Sequence, residues 1–253
     1  MRESGKAFTV SLRFHEISES RHRILNPFTE GKLMLLGSLC RLRPGQRLLD
    51  LACGKAELLG RWSARWGVGG VGVDISAVFT AAARVRLAEL GVAGRVEIVC
   101  ADARDYAAEP AGFDVVSCIG ATWIGNGVTG TIDLLRPALR VNGLMLIGEP
   151  YWIDPPPQYP PWPGEGEFAS LIGLLETVEA AGMELVEMVL ADGDSWDRYV
   201  AAQWMTLSDY LREHPDDPDA AELRAFLDES RRSHLRVQRR YLGWGVFVLR
   251  PAG

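Results

Sequence analysis

The stretch 47–57, with the sequence RLLDLACGKAE, constrains the fold more than any other part of this chain. An apolar run ends in Asp50, a turn of small residues follows, and a helical pattern begins beyond the turn. This order is typical of a buried parallel strand that leads through a tight turn into a helix. Because the first N–H groups of a helix have no partner within it, they can face a bound ligand. The stretch therefore predicts a strand–turn–helix unit with a ligand site at the turn.

Strand and helix patterns alternate along the rest of the chain, which predicts a parallel sheet covered by helices on both faces. Strands are predicted at 47–52, 70–74, 95–101, 113–119, 144–149, 183–190 and 243–249. Helices are predicted near 29–41, 55–66, 77–91, 130–140 and 168–181, with two more inside 195–240. We therefore predict an α/β fold with a doubly wound sheet of seven strands.

The length of 253 residues and the hydrophobic fraction of 47% are sufficient for one sizeable core. We predict a single domain, 1–253, in consecutive parts. These are an N-terminal helical cover (1–42), a core (43–150), a proline-rich loop with a helix and a strand (151–194), a helical insertion (195–240) and the last strand (241–253). The cover and the insertion are predicted to form a lid.

Charge and composition exclude several kinds of partner. The net charge of −6 and the pI near 5.3 disfavour nucleic acid. No run approaches the ~20 apolar residues of a membrane span, so no membrane partner is expected. One basic cluster is predicted to be the solvated face of a helix, with a clamp for an acidic substrate as the alternative. It consists of Arg231, Arg232, Arg236, Arg239 and Arg240.

The cysteines show no C-x-x-C pair, so free thiols are expected and no metal site is predicted. The residues are Cys40, Cys53, Cys100 and Cys118. The N-terminus has no long apolar core of the kind that a secretory signal needs. Free thiols persist in a reducing compartment, so a cytoplasmic location is expected.

Polar or glycine positions close five successive predicted strands. In open α/β sheets the ligand lies beyond the carboxyl ends of the strands, near the switch in strand order. The sequence therefore predicts that these five residues share one site. They are Asp50, Asp74, Asp102, Gly120 and Glu149.

A literal G-x-G-x-x-G occurs at 67–72 but in the wrong context. A dinucleotide fingerprint follows a strand, opens a helix and has an acid about 20 residues later. Here the glycines end a helix and enter a strand, and Asp74 comes almost at once. We therefore interpret them as a connecting loop.

From Asp50 the chain reads D-x-A-x-G-x-A, with Asp74 and Asp102 at the next two strand ends. This pattern resembles class I S-adenosylmethionine-dependent methyltransferases, which have a Rossmann-like fold. Ala52 and Ala56 stand where that family has glycine; alanine keeps the backbone close provided that no positive φ is needed. Further segments resemble a subgroup of bacterial small-molecule methyltransferases with no assigned substrate. They are 17–20 (ISES), 22–24 (HRI), 26–30 (NPFTE), 120–124 (GATWI), 148–152 (GEPYW) and 196–199 (WDRY).

The resemblance implies a role for each strand-end residue toward S-adenosyl-L-methionine, whose product is S-adenosyl-L-homocysteine. Asp50 would face the amino group, Gly54 would allow close backbone approach, and Asp74 would accept the ribose hydroxyls. Gly120 would lie beneath the sulfonium. The adenine would pack on Ile75 and be read by Asp102 with the Ala103 N–H. The remaining predicted cofactor residues are Ala52, Ser76 and Trp123.

Methyl transfer is an in-line displacement that needs a base only if the nucleophile must lose a proton. The candidates are His22 and Glu149, with Tyr151 as an orienting hydroxyl. The alternatives are a structural His22 and a Glu149 that pairs with Arg21 or Arg23 to fix the cover. Aromatic side chains are predicted to wall an apolar acceptor pocket. They are Trp123, Tyr151, Trp152, Trp196 and Tyr199.

The sequence therefore predicts a methyltransferase that acts on a small-molecule acceptor. Two alternatives stay open: a nicotinamide-dependent oxidoreductase on a similar sheet, and a non-catalytic protein that binds S-adenosylmethionine or S-adenosylhomocysteine. The acceptor atom and the oligomeric state are not determined by the sequence.

Overall fold

The computed structural model describes residues 11–154 and 168–253. A seven-stranded sheet forms its centre, in the order β3-β2-β1-β4-β5-β7-β6. The strands are Arg47–Leu51 (β1), Gly69–Asp74 (β2), Val96–Cys100 (β3), Phe113–Ile119 (β4), Leu139–Trp152 (β5), Met183–Leu190 (β6) and Leu242–Pro251 (β7). The strand order reverses between β1 and β4, which makes this pair the switch point where ligands bind in doubly wound sheets. The predicted α/β, doubly wound fold is confirmed.

Helices cover the sheet and the carboxyl ends of its parallel strands. They are Leu12–Ser18 (α1), Glu30–Leu39 (α2), Glu57–Trp66 (α3), Ala77–Glu89 (α4), Val128–Leu135 (α5), Leu171–Ala180 (α6), Gly193–Glu213 (α7) and Ala220–Ser233 (α8), with a short π-helical turn and α9 (Arg239–Tyr241) after them. Thr29 and Ser76 cap α2 and α4 by accepting bonds from backbone N–H groups. The predicted proline-rich loop falls mainly at 155–167, outside the described residues.

The direction of the last strand differs from the predicted parallel sheet. β7 lies between β5 and β6 and is antiparallel to both. The insertion begins after Leu190, at the carboxyl end of β6, and ends before Leu242, at the start of β7; both residues lie at the same end of the sheet. A chain that leaves and re-enters a sheet at the same end of its strands must run in the opposite direction on its return. The helical insertion therefore fixes the direction of β7.

Consecutive residues of the central strands pack into different apolar layers. Leu48 belongs to the layer that contains Trp62, whereas Leu49 belongs to the layer of α5 and α6. Burial on both faces explains the continuous apolar run that marks β1 in the sequence. The glycines at 67–72 end α3 and enter β2, as interpreted, and a Cβ at Gly70 would lie 2.1 Å from the Leu48 carbonyl oxygen.

The N-terminal helix α1 and the insertion helices α7 and α8 share an apolar core of their own. Phe14 and Ile17 of α1 pack on a buried cluster formed by Leu207, Leu211, Ala220, Leu223 and Leu227. Arg13 bridges the same elements, since its guanidinium lies 2.5 Å from Asp217 and 2.6 Å from Asp219. We call this unit, α1 with α7 and α8, the lid. The sequence predicted both parts without showing that they pack together.

The arginine cluster at the end of the insertion lies largely on the surface. Arg232, Arg236, Arg239 and Arg240 are exposed and Arg231 is half-buried, as expected for a solvated helix face. Within the described ranges, no helix is both long and apolar enough to cross a membrane.

Candidate active site

Asp50 lies near the end of β1, in register with Gly72 of β2 and Ser117 of β4. Its side chain is only 5% exposed and accepts a hydrogen bond from Ser117 Oγ at 2.7 Å. Burial raises the pKa of Asp50 to about 7, the nearby Asp74 carboxylate adds to the rise, and the Ser117 bond opposes it. A buried acid of this kind has a strong electrostatic preference for a cationic partner.

Asp74 ends β2 and joins two loops through its carboxylate. Oδ2 accepts the Gly54 N–H at 2.8 Å, and Oδ1 accepts the Ser76 N–H, also at 2.8 Å. Burial raises the pKa of Asp74, and these two backbone bonds oppose the rise. Each carboxylate oxygen can accept a second bond, so Asp74 keeps acceptor capacity for the hydroxyls of a ligand.

The turn between β1 and α3 is left-handed at three alternate positions. The φ angles are 57° at Ala52, 54° at Gly54 and 56° at Ala56. The sequence argument required the alanines to avoid positive φ, and that condition is wrong. Alanine in this region costs about 1–2 kcal/mol per residue relative to a right-handed conformation. The turn therefore stores strain at the place where the N–H groups face the site.

The cover makes a close approach to the same turn. A Cβ at Gly54 would lie 2.7 Å from Leu25 Cδ1. Lys55 donates from Nζ to the carbonyl oxygens of Glu19, Ser20 and His22 at 2.8, 2.9 and 2.6 Å. The turn thus contacts Leu25 and holds the segment after α1.

The predicted adenine-binding residues occupy different environments. Ile75 is 50% exposed, which leaves an apolar face available beside Asp74. Ser76 accepts the Phe79 N–H, and its Oγ donates to Glu16 of α1 at 2.5 Å. The lid therefore touches this part of the site too.

Asp102 follows β3, and its side chain contacts that of Arg104. Arg104 makes a two-pronged contact to both of its carboxylate oxygens, the shortest at 2.6 Å. The hydrogen bond from the Arg104 side chain lowers the pKa of Asp102. Ala103 is buried. Reading of an adenine edge by Asp102 and the Ala103 N–H stays a prediction.

The loop after β4 begins at Gly120, whose φ is 80°, and continues into a single turn of 3₁₀ helix at Thr122–Gly125. Trp123 on this turn is 66% exposed, so it does not wall a closed pocket in this structure. Thr122 Oγ1 donates to Glu149 Oε2 at 2.5 Å. The alternative that pairs Glu149 with Arg21 or Arg23 is wrong, because Arg21 pairs with Asp209 and Arg23 lies beside Glu57 and Glu89.

Glu149 and Tyr151 lie on the face of β5 that carries Ile147, which packs in the layer of α5 and α6. Tyr151 is buried against Phe247, its ring lies over Gly243, and burial raises its pKa. Trp152 packs near Phe168. The roles of Glu149 and Tyr151 in catalysis stay predictions.

The predicted base His22 belongs to a buried cluster whose centre is Glu19. Tyr199 OH donates to Glu19 Oε1 at 2.5 Å, and Gln203 Nε2 donates to the same oxygen at 2.6 Å. His22 Nδ1 lies 2.8 Å from the other oxygen, Oε2, and the His22 ring packs on Tyr199. Glu19 is completely buried. Sequence reasoning missed it, and only its position in the segment ISESRHRI, next to His22, could have pointed to it.

A cavity of about 260 Å³ lies between Gly120, the cover and the insertion. Trp196, Tyr199 and Trp244 form aromatic walls, and Leu25, Pro27 and Val200 add apolar surface. The polar lining residues Asn26, Gln203, Ser230 and Gln238 are neutral. Of the predicted aromatic walls, Trp196 and Tyr199 line this cavity.

Comparison with known proteins agrees with this geometry. A family described as a methyltransferase domain matches residues 48–143. A methyltransferase from Geobacter sulfurreducens, solved in complex with S-adenosyl-L-homocysteine, is 46% identical with a TM-score of 0.89, over 94% of this chain and 98% of that one. A Thiobacillus denitrificans methyltransferase, solved with the same ligand, is 43% identical with a TM-score of 0.88, over 94% and 98%.

An Escherichia coli protein, YjhP, described as uncharacterized, is 45% identical over 94% of this chain and 97% of its own length. None of these comparisons supports the alternative of a nicotinamide-dependent oxidoreductase. The strand order, the buried acids Asp50 and Asp74 at the ends of β1 and β2, and the similarity to these relatives all indicate the same family. The chain therefore belongs to the class I S-adenosylmethionine-dependent methyltransferases, and it is an enzyme whose cofactor is S-adenosylmethionine.

Proposed function

We propose that this enzyme moves the methyl group of S-adenosylmethionine to a small molecule held in the cavity beside Gly120, by in-line displacement at the sulfonium carbon. The observation that carries the proposal is the position of this cavity. It adjoins Gly120 at the carboxyl end of β4, next to the switch point, and the lid covers it. A cavity of about 260 Å³ is near the lower end of the range of ligand pockets, which supports a small acceptor.

The residues at the ends of β1 and β2 fit the donor by charge and shape. Asp50 is a buried carboxylate beside another carboxylate, so the ammonium group of the donor would supply the missing cation. Asp74 retains acceptor capacity for the ribose hydroxyls, and Ile75 offers an exposed apolar face to the adenine. We propose these three contacts as the main determinants of donor binding, with Ala52, Gly54 and Ser76 shaping the backbone around them.

On the acceptor side, the protein's main task is alignment and exclusion of water, because the sulfonium already activates the methyl group. His22 is the better placed of the two predicted bases, since it belongs to the cluster that adjoins the cavity through Tyr199. Glu149 is bonded to Thr122 in the loop that follows Gly120, a position suited to orienting that loop. Tyr151 supports the same strand end from the core.

The donor site is tested by binding of S-adenosylhomocysteine, measured by titration calorimetry, to the wild type and to Asp74→Asn. We expect the variant to bind about 10–100-fold more weakly, because a hydrogen bond to a charged acceptor contributes about 1.5–3 kcal/mol. Asp74→Asn keeps an acceptor for one of the two buried N–H groups of Gly54 and Ser76, whereas Asp74→Ala leaves both without an acceptor and is the poorer probe. Unchanged affinity in Asp74→Asn would remove the ribose assignment.

The acceptor is sought with a metabolite panel and methyl-labelled donor. Transfer to a small molecule is the expected result. Binding of S-adenosylhomocysteine without transfer to any small molecule, but with transfer to protein or nucleic acid, would contradict the small-molecule assignment.

We also propose a cytoplasmic location. The four cysteines are free, and a reducing compartment keeps thiols in that state. Cell fractionation with an antibody to the protein tests this, and recovery outside the cytoplasmic fraction would contradict it.

A further inference from the structure

We call the cavity of about 260 Å³ beside Gly120 the acceptor cavity. None of its described lining residues has a charged side chain. Asn26, Gln203, Ser230 and Gln238 supply neutral donors and acceptors, and the aromatic walls supply the apolar surface. None of these lining side chains would supply an opposite charge to an ion placed here, and the loss of its water costs several kcal/mol. The lining therefore selects an uncharged molecule that carries hydrogen-bonding groups and a ring.

One charged side chain, that of Glu19, lies directly behind the wall of the acceptor cavity. Tyr199 and Gln203 both line the cavity, and both donate to the same oxygen of Glu19. Glu19 has no contact with solvent. A buried carboxylate placed one hydrogen bond behind a cavity is in position to receive a proton from the cavity through the side chain between them.

The groups around Glu19 keep it ionised. Burial acts to raise its pKa, but the contacts with His22 and Tyr199 outweigh it and the pKa is lowered, with His15 contributing in the same direction. Lys55 lies close by, bonded to the Glu19 carbonyl oxygen. Burial and the Glu19 charge raise the pKa of Tyr199 well above its usual value, so Tyr199 is the protonated donor of the pair. The pair is thus an acid hydroxyl and a carboxylate that can accept its proton.

We propose that Tyr199 is a catalytic residue that takes the proton of an uncharged phenol- or enol-type acceptor and passes its own proton to Glu19. This deepens the function proposed above and rests on it. As the acceptor oxygen bonds to the methyl carbon, the carbon–sulfur bond breaks and its electron pair stays on sulfur. The acceptor proton moves to the Tyr199 oxygen while the Tyr199 proton moves to Glu19 Oε1. The products are S-adenosylhomocysteine and a methyl ether.

The strength of the base restricts the acceptor further. A carboxylate is a weak base, so it assists an acidic hydroxyl such as that of a phenol, with a pKa near 10 like that of tyrosine, better than the hydroxyl of an aliphatic alcohol. The aromatic faces of Trp196 and Trp244 supply stacking surface for such a ring.

His22 acts on Glu19 from the side opposite Tyr199. Its Nδ1 lies 2.8 Å from the second carboxylate oxygen, Oε2, whereas Tyr199 and Gln203 donate to Oε1. The contact with His22 lowers the pKa of Glu19. His22, predicted as the base from sequence, therefore acts through Glu19 as a positioning residue that keeps the carboxylate ionised.

The first experiment compares three matched probes on the complex with S-adenosylhomocysteine: 4-ethylphenol, tyramine, which adds an ammonium group, and 4-hydroxyphenylacetate, which adds a carboxylate. We expect 4-ethylphenol to bind at least about tenfold more tightly than either charged probe. Equal or tighter binding of a charged probe, or no binding of 4-ethylphenol, would overturn the inference. The proposed function fails separately, if S-adenosylhomocysteine itself does not bind.

The second experiment measures transfer from labelled donor to 4-ethylphenol. Tyr199→Phe is expected to lower kcat by about 100-fold with KM and affinity for S-adenosylhomocysteine unchanged. Tyr210→Phe is the control, because Tyr210 lies on the same helix and also donates to a carboxylate, Asp217, but is not among the cavity-lining residues. Equal rates in the two variants would overturn the assignment of Tyr199.

The pH dependence of kcat distinguishes a Glu19 that accepts a proton from a Glu19 that has only a structural role. In the wild type, kcat is expected to be flat above the lowered pKa of Glu19. In Glu19→Gln, it is expected to rise about tenfold per pH unit until the acceptor ionises by itself, because the ionised acceptor needs no base. Asp197→Asn, which removes the carboxylate from another buried histidine pair, should keep the flat profile. A flat profile in Glu19→Gln would overturn the role given to Glu19.

Discussion

Asp74, at the end of the adjacent strand, disfavours the charge of Asp50. In the donor contact that we propose, the ammonium group of S-adenosylmethionine relieves this repulsion when it binds. Without ligand, the raised pKa of Asp50 means that its stabilising effect is complete below about pH 4, the unfolded value, and is lost as pH rises through about 7. Affinity for the ligand must change in the opposite direction, since only the ionised form pairs with ammonium.

We therefore expect S-adenosylhomocysteine to bind more tightly at pH 8 than at pH 6, with release of a proton from Asp50 near pH 7. Titration calorimetry in buffers of different ionisation enthalpy measures both quantities. In Asp50→Asn the pH dependence should disappear. Proton release that persists in Asp50→Asn would assign it to another group.

The left-handed alanines of the turn raise the question of why glycine is absent there. Ala52→Gly is expected to raise the free energy of unfolding by up to about 1 kcal/mol, because relief of about 1–2 kcal/mol of strain exceeds the extra entropy of glycine in the unfolded chain. Ala81→Gly, on the exposed face of right-handed α4, is the control and should cost about 1 kcal/mol. Chemical denaturation measures both. Equal losses in the two variants would show that the turn at Ala52 is not strained.

At the scale of elements, Lys55 in the turn between β1 and α3 holds the end of α1. The ammonium group caps the segment after the helix through three carbonyl oxygens, which is the favourable position for a cation at a helix C-terminus. The turn that we propose to bind the donor therefore also holds the cover, so we expect donor binding and closure of the cover to be coupled.

Lys55→Met should loosen the cover and speed the release of S-adenosylhomocysteine, with a loss of about 1 kcal/mol in the free energy of unfolding. Stopped-flow displacement measures the release rate. Lys32→Met is the matched control, because Lys32 also bonds a carbonyl oxygen, that of Leu190, and a carboxylate, that of Asp192, but on α2. Equal release rates in the two variants would contradict the coupling.

On the scale of the whole molecule, the lid joins α1 to the insertion helices α7 and α8 over the site. Its own core and the Arg13 bridge hold α1 to the insertion, while Lys55 and the bond from Ser76 to Glu16 hold α1 to the sheet. Such a unit is expected to open and close as one body.

Hydrogen exchange tests this behaviour. S-adenosylhomocysteine should slow exchange in α1, α7 and α8 together, whereas α6, on the other layer, should change little. In Arg13→Ala the protection of α7 and α8 should fall while that of α1 remains. Protection of α1 alone in the wild type would show that the lid is not one unit.

The sequence by itself determined the elements whose cause is local. The apolar run into Asp50, the caps at Thr29 and Ser76 and the acids at the strand ends follow from short-range patterns, so the core of the fold could be predicted. The class of cofactor was predicted from the resemblance of these segments to a known methyltransferase family. The seven strands and the two-sided burial of the central ones follow from the same short-range patterns.

Only the tertiary structure decided the features that depend on residues far apart in the chain. Glu19 and Tyr199 are 180 positions apart, and no local pattern brings them together. The antiparallel β7, the shared core of α1 with the insertion, and the positive φ of Ala52 and Ala56 likewise result from packing. Long-range burial sets which polar groups meet beside the cavity, and the acceptor chemistry that we propose rests on those groups.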